Sequence, residues 1–175
     1  MGTMVFWATT PAAVRRFAET GSQSVADKVF AATDELRAAF GYQPSDDEDA
    51  DFAAQLFASL QCLVDGGDRL VVAVELDRAP VAAATGPELG RVGQVQLPWR
   101  RVRAIFRDAP EDLAELRAYA ESLQGKEIEA LWEDDEVRGV LTEHDLLWYD
   151  CSELAQALDG LRDPDPVAAD PRKDA

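Results

Sequence analysis

Val5-Phe6-Trp7-Ala8-Thr9-Thr10-Pro11 runs an apolar strand straight into a helix start. Thr9 and Thr10 carry hydroxyls that cap the free N–H groups of a first turn, and Pro11 suits the first helical position, where no N–H is needed. The same junction recurs at Val29-Phe30-Ala31-Ala32-Thr33-Asp34-Glu35-Leu36, at Ala104-Ile105-Phe106-Arg107-Asp108-Ala109-Pro110-Glu111 and at Leu146-Leu147-Trp148-Tyr149-Asp150-Cys151-Ser152-Glu153-Leu154. Four strands that hand over to self-capped helices predict an α/β fold bordering on α+β, a single domain with a mixed sheet of five or six strands covered by helices. Such junctions point to crossover connections and parallel pairing, while the middle of the chain reads as antiparallel.

Working outward, the first helix should span Pro11 to Thr20 and stop at Gly21, with Ser22 to Asp27 as a polar connector. A short helix from Asp34 to Phe40 ends at Gly41. Ser45-Asp46-Asp47-Glu48 reads as a capping box for a helix with apolar positions Phe52, Leu56, Leu60 and Leu63. Its acids belong to helix-end electrostatics, since the run lacks the glycine and distal glutamate of a calcium loop. Arg69 to Leu76 is apolar at consecutive positions, as in a central strand covered on both faces. Val81 to Ala84 reads as a short edge strand, and Arg91 to Leu97 with Arg101 to Arg107 as a hairpin around Pro98-Trp99. Asp108 to Glu111 is a second capping box, opening a helix striped by Leu113, Leu116, Ala120 and Leu123. Helical character continues from Lys126 to Glu143. A last strand at Leu146 to Tyr149 enters a final helix that Gly160 ends. The globular domain is thus 1–160, and 161–175, with three prolines and many charges, reads as a disordered tail.

The 175 residues are 47% hydrophobic, enough to bury roughly 70% of the surface of the unfolded chain. A formal net charge of −17 makes nucleic acid and anionic membranes poor partners and leaves basic proteins or small molecules. Two cysteines make no disulfide framework and favour a reducing compartment. The first apolar run breaks at Thr9-Thr10-Pro11, which fits no secretory leader, and no run approaches a membrane span. A cytoplasmic location is the expectation.

The start Val5-Phe6-Trp7-Ala8-Thr9, the second strand Val29-Phe30-Ala31-Ala32-Thr33 and the closing Glu143-His144-Asp145-Leu146-Leu147-Trp148-Tyr149 resemble a small, uncharacterised family of actinobacterial proteins, over most of residues 4–158. The resemblance implies a cytoplasmic protein with a domain of unknown function, and brings no catalytic residues with it.

His144 is the only histidine, so imidazole chemistry must use it, with Asp145 or Glu143 as orienting groups; equally, it can fasten the loop before the last strand. Cys151 falls in a first helical turn, where the dipole favours a thiolate but Asp150 and Glu153 oppose it, and it reads as a packing residue, as does Cys62. One histidine and two separated cysteines supply no zinc set, and no metal or cofactor is expected. Only the first helix begins without acids, so Thr9 and Thr10 are its anion candidates, against simple capping. Arg91, Arg100, Arg101, Arg103 and Arg107 form the densest basic cluster, with no acid from Arg91 through Arg107. Strand alternation places Arg101, Arg103, Ile105 and Arg107 on one face, either as a ligand site for a carboxylate or phosphate or as partners of the chain's own acids. The leading expectation is a non-enzymatic module that binds a basic protein partner. The alternative is a small-molecule enzyme or sensor that binds an anion at the strand-to-helix edge.

Overall fold

The computed structural model describes residues 2–85 and 89–164. In chain order its elements are β1 (Gly2–Ala8), α1 (Pro11–Thr20), β2 (Ser22–Val25), β3 (Val29–Ala31), α2 (Asp34–Phe40), α3 (Asp47–Val64), β4 (Leu70–Asp77), α4 (Arg78–Ala84), β5 (Arg91–Val92), β6 (Val95–Pro98), β7 (Val102–Arg107), α5 (Leu113–Leu123), α6 (Ile128–Trp132), α7 (Asp135–Glu143), β8 (Leu147–Tyr149) and α8 (Leu154–Leu158). Short 3-10 turns stand at Trp99–Arg101, Pro110–Asp112 and Cys151–Glu153.

The caps form where the residues call for them. Thr10 accepts from Ala13 N (3.3 Å), Thr33 accepts from Leu36 N (3.2 Å), and Asp150 with Glu153 closes a capping box. Gly21 ends α1 in the left-handed region, φ 79°, where a side chain would be strained. Two other caps are not made. The carboxylate of Asp46 turns back to Gln43 N (2.7 Å) instead of bonding into α3, and Asp108 is drawn into the interior.

Six strands make one sheet in the order β5-β3-β1-β4-β7-β8, with β2 and β6 as a separate ribbon. The α/β class and the strand number are as expected, but every adjacent pair is antiparallel. The connections explain this. α1 leaves the end where β1 finishes, and β2, expected to be a connector, carries the chain back to that end before β3 begins; Ala8 N donates to Lys28 O there. α5 and α7 make the same round trip from β7 to β8, so His144 at the close of α7 returns beside Asp112 and Glu115 near the start of α5. Two connections join parallel strands: α2 and α3 carry the chain from β3 to β4 with β1 between them, and β6 carries it from β5 to β7 across β3, β1 and β4. The expected hairpin is absent, because β6 pairs with β2 while β7 lies between β4 and β8. Val81 to Ala84 belongs to a helix, α4, since its alanines favour helix more strongly than Pro80 and Gly86 discourage it.

β4 is buried on both faces from Leu70 to Val74. One face packs Phe6, Val71 and Ala73 against Phe57, Leu60 and Leu63 of α3, with α5, α6 and α7 beyond. The other packs Trp7, Val72 and Ile105 against Val14 and Phe17 of α1, the β2–β6 ribbon and α8. Phe17 sits edge-on to Trp7 and Trp99, with centroids 5.8 and 5.0 Å away. Burial of each large side chain here stabilises the fold by about 1.5–3 kcal/mol.

A bulge changes the reading of β7. Ala73 pairs with Ala104 and Val74 with Val102, which leaves Arg103 as the extra residue. Val102 and Ile105 therefore share one buried face, and strict alternation fails. Ile105 is fully buried and Arg107 is 1% exposed, so the expected outward row of arginines does not exist.

Leu161 to Pro164 of the expected tail lie against the domain, where Arg162 N donates to Asp68 (2.9 Å) and Asp163 accepts from Ala12 N (2.9 Å). The rest of that tail, 165–175, lies outside the described residues. Among the described residues no helix is long and apolar enough to cross a membrane.

Candidate functional site

An antiparallel sheet divides the four strand-to-helix junctions between its two ends. β1 and β7 finish at the end where β4 and β8 begin, which gathers Thr9, Thr10, Arg69, Arg107, Asp108 and His144 there. Most of this end is closed by its own chemistry, while Thr9 Oγ1, Arg69 Nη1 and Arg107 Nη2 are buried there without a hydrogen-bond partner among the described residues. Arg69, fully buried, donates through Nε to Asp108 Oδ1 (2.6 Å), through its backbone N to Oδ2 (2.8 Å) and through Nη2 to the His144 carbonyl. Burial pushes the Asp108 carboxyl above its ordinary value, and the Arg69 guanidinium opposes the shift. Arg107 donates to the carbonyls of Asp108, Gln156, Ala157 and Asp159 and so fastens the end of α8.

The His144 ring is itself held, with Nδ1 3.2 Å from Asp112 Oδ1 and Nε2 3.7 Å from Glu115 Oε1. Thr9 is buried and Thr10 is spent on its cap. The acid-free start of α1 meets Asp163, which takes the Ala12 N–H. Cys62 is buried against the Leu70 carbonyl, and burial pushes its thiol up to about 12. Cys151 is partly buried against the apolar cluster under α8.

The remaining arginines lie elsewhere. Arg101 reaches Asp77 (3.1 Å), Arg103 reaches Glu75 (2.9 Å), and Arg91 pairs with Glu129 (3.1 Å) while covering the Phe30 ring. The structure does not bring Thr9, Thr10, His144 and the arginines into one pocket, and Arg101, Arg103 and Arg91 meet the chain's own acids.

The cavity lies at the opposite end. A cleft of about 870 Å³ opens where β3 hands over to α2, between α3 and α4, and none of the candidate site residues Thr9, Thr10, Arg101, Arg103, Arg107 and His144 lines it. Its floor is Met4, Ala31, Ala32 and Val81, and Thr33, Tyr42 and Thr85 add hydroxyls. The volume is that of a small-molecule site. Its walls carry the carboxylates Asp34, Glu35, Asp47 and Asp51 against Arg37 and Arg78. Arg37 is already engaged, with Nη2 on Asp47 (2.6 Å) and Nε on the Ala32 carbonyl (3.4 Å).

Helix ends account for some of these acids. Asp34 and Glu35 face the positive end of α2, and Asp47 the positive end of α3. Asp51 has no such role. It stands one turn beyond Asp47 on the same side of α3, partly buried, and among the described residues it makes no hydrogen bond. Burial first, and then repulsion from Asp47, pushes its carboxyl up to about 6, while Arg37 pulls it down. Among the described residues no three His, Cys, Asp or Glu side chains come together to hold a metal ion. The cleft therefore offers dispersed negative charge over an apolar floor, which suits an organic cation. One signal in the sequence pointed here: Asp47 and Asp51 are like charges four apart on a helix, an arrangement that costs stability unless something compensates it.

No curated protein and no solved structure matches the chain. Residues 3–158 match the model of a family described as "Family of unknown function (DUF6912)", and the chain belongs to that family.

Proposed function

We propose that the protein is a non-enzymatic binding module whose cleft between α2, α3 and α4 takes an ammonium or guanidinium group. The observation that carries this reading is Asp51, a partly buried carboxylate in a ligand-sized cleft that makes no hydrogen bond or ion pair among the described residues. A bound cation supplies the missing partner and lets Asp51 ionise fully. The group can belong to a free amine or to a Lys or Arg side chain of a basic protein, and the net charge of −17 steers either one in. The anionic-ligand alternative has less support, because Arg101 and Arg103 are paired with acids and Arg107 is buried.

Calorimetric titration at pH 7.5 with agmatine in one arm and the tripeptide Gly-Arg-Gly, too short to pair as a strand, in the other tests the proposal and separates the two sources. Binding in either arm should weaken about tenfold at pH 5, where Asp51 is protonated, and should be lost in Asp51→Asn. No binding in either arm, or undiminished binding by Asp51→Asn, overturns it.

A further inference from the structure

We infer that the outer edge of β8 is a docking strand for a basic, extended segment of a partner protein. β8 closes one side of the sheet and pairs only with β7; among the described residues no strand lies beyond it. Its backbone therefore presents a free edge to solvent. Natural edges are usually guarded by Lys, Pro or a bulge, and this one instead exposes Trp148 (58%) and Leu147 (37%). Trp148 lies opposite Phe106, on the side of the sheet that carries α3 and α5. Leu147 and Tyr149 point to the other side.

Charge decides what covers this edge. From Gly139 to Leu161 the chain carries Glu143, Asp145, Asp150, Glu153 and Asp159 and no Lys or Arg. A second copy pairing through β8 would set these acids against the same acids, so self-association is disfavoured. A strand with Lys or Arg at alternate positions meets opposite charge along the same edge, and a cation beside Trp148 gains a cation–π contact. Main-chain hydrogen bonds supply the pairing and Trp148 supplies the anchor, the two parts of recognition by strand addition. This surface is the far edge of the sheet from β5 and β3 and is independent of the cleft.

The test uses the full chain and a fluorescent peptide that alternates Lys or Arg with Val, read by polarisation. Binding is expected, with a loss of about tenfold in Trp148→Ser, corresponding to ~1.4 kcal/mol. Trp148 is exposed, so that variant should remain folded. The double reversal Glu143→Lys/Asp145→Lys, at two exposed acids that lead into β8, should move the preference to a matching peptide that alternates Glu with Val. Methylation of the peptide's backbone nitrogens should abolish binding while its charge is unchanged. Equal binding by the methylated peptide, or by Trp148→Ser, overturns the inference. So does a wild-type dimer in sedimentation that Trp148→Ser dissolves, which would make the occupant a second copy. Polarisation is also read in the Asp51→Asn background, where the cleft no longer takes the peptide's ammonium or guanidinium groups: the edge should still bind the peptide there, and no binding in that background refutes the edge as its site.

Discussion

At the end of the sheet where β1 and β7 finish, charged groups are buried and each meets a partner from a distant part of the chain. At the end where β3 and β4 finish, charged groups line a cleft and Asp51 makes no hydrogen bond among the described residues. Desolvation explains the contrast. A fully buried charge is tolerated only with a partner and hydrogen bonds, so Arg69 and Asp108 are locked together, and Asp68 takes both Nε and Nη2 of Arg117 (2.8 Å each). A carboxylate in an open cleft can stay partly hydrated and wait for a ligand. The closed end thus specifies the fold, and the open end keeps charge available.

The strongest way to break this comparison is Asp108→Ala, which leaves the Arg69 guanidinium and its backbone N–H buried without an acceptor. The expected loss is about 3–5 kcal/mol in urea unfolding. Replacing both, Arg69→Met with Asp108→Leu, should recover most of it, because an apolar pair has no charge to desolvate. A loss under about 1 kcal/mol would mean that water reaches the pair and that the end is not closed.

Arg117→Ala removes both bonds to Asp68, whose side chain is 3% exposed, and the bond to the Gly160 carbonyl. A loss of about 2 kcal/mol is expected, smaller because Arg117 itself reaches solvent and Asp68 keeps the Arg162 N–H. Thermal unfolding of Arg117→Ala alone and combined with Asp68→Asn sharpens the point: the two losses should not add.

What could be read in the residues was local. Thr10, Thr33 and the Asp150-Glu153 box cap the helices they begin, and the unbroken apolar run of β4 marks a central strand. What could not be read depends on partners distant in sequence. Asp108 looks like a cap because it precedes Ala109, Pro110 and Glu111, yet Arg69, 39 positions earlier, takes its carboxylate. Pairing direction was hidden because residues mark where a helix starts, and β2 is too polar to announce that it carries the chain back. The bulge at Arg103 has no residue signature and turns Ile105 and Arg107 inward. Asp51 was concealed in the acidic run that begins α3, where helix-end electrostatics already explained its neighbours.

The smallest expected effect sharpens the comparison most, because its sign is opposite to the other two. Asp51 is held near 6 in the folded protein against an ordinary value of 3.8, so folding favours its neutral form. The resulting stability is fully present below about pH 4 and is lost as the pH rises through about 6. Asn mimics the neutral carboxyl at every pH. Asp51→Asn should therefore stabilise the protein at pH 7 by about 1 kcal/mol, reduced from the full shift because the group is only partly buried and its charge is screened. The gain should shrink through pH 5 and vanish near pH 4. Denaturant midpoints of wild type and variant across that range check it. A variant less stable at pH 7 would mean that Asp51 already has a compensating partner within the chain, and the two ends of the sheet would no longer differ in kind.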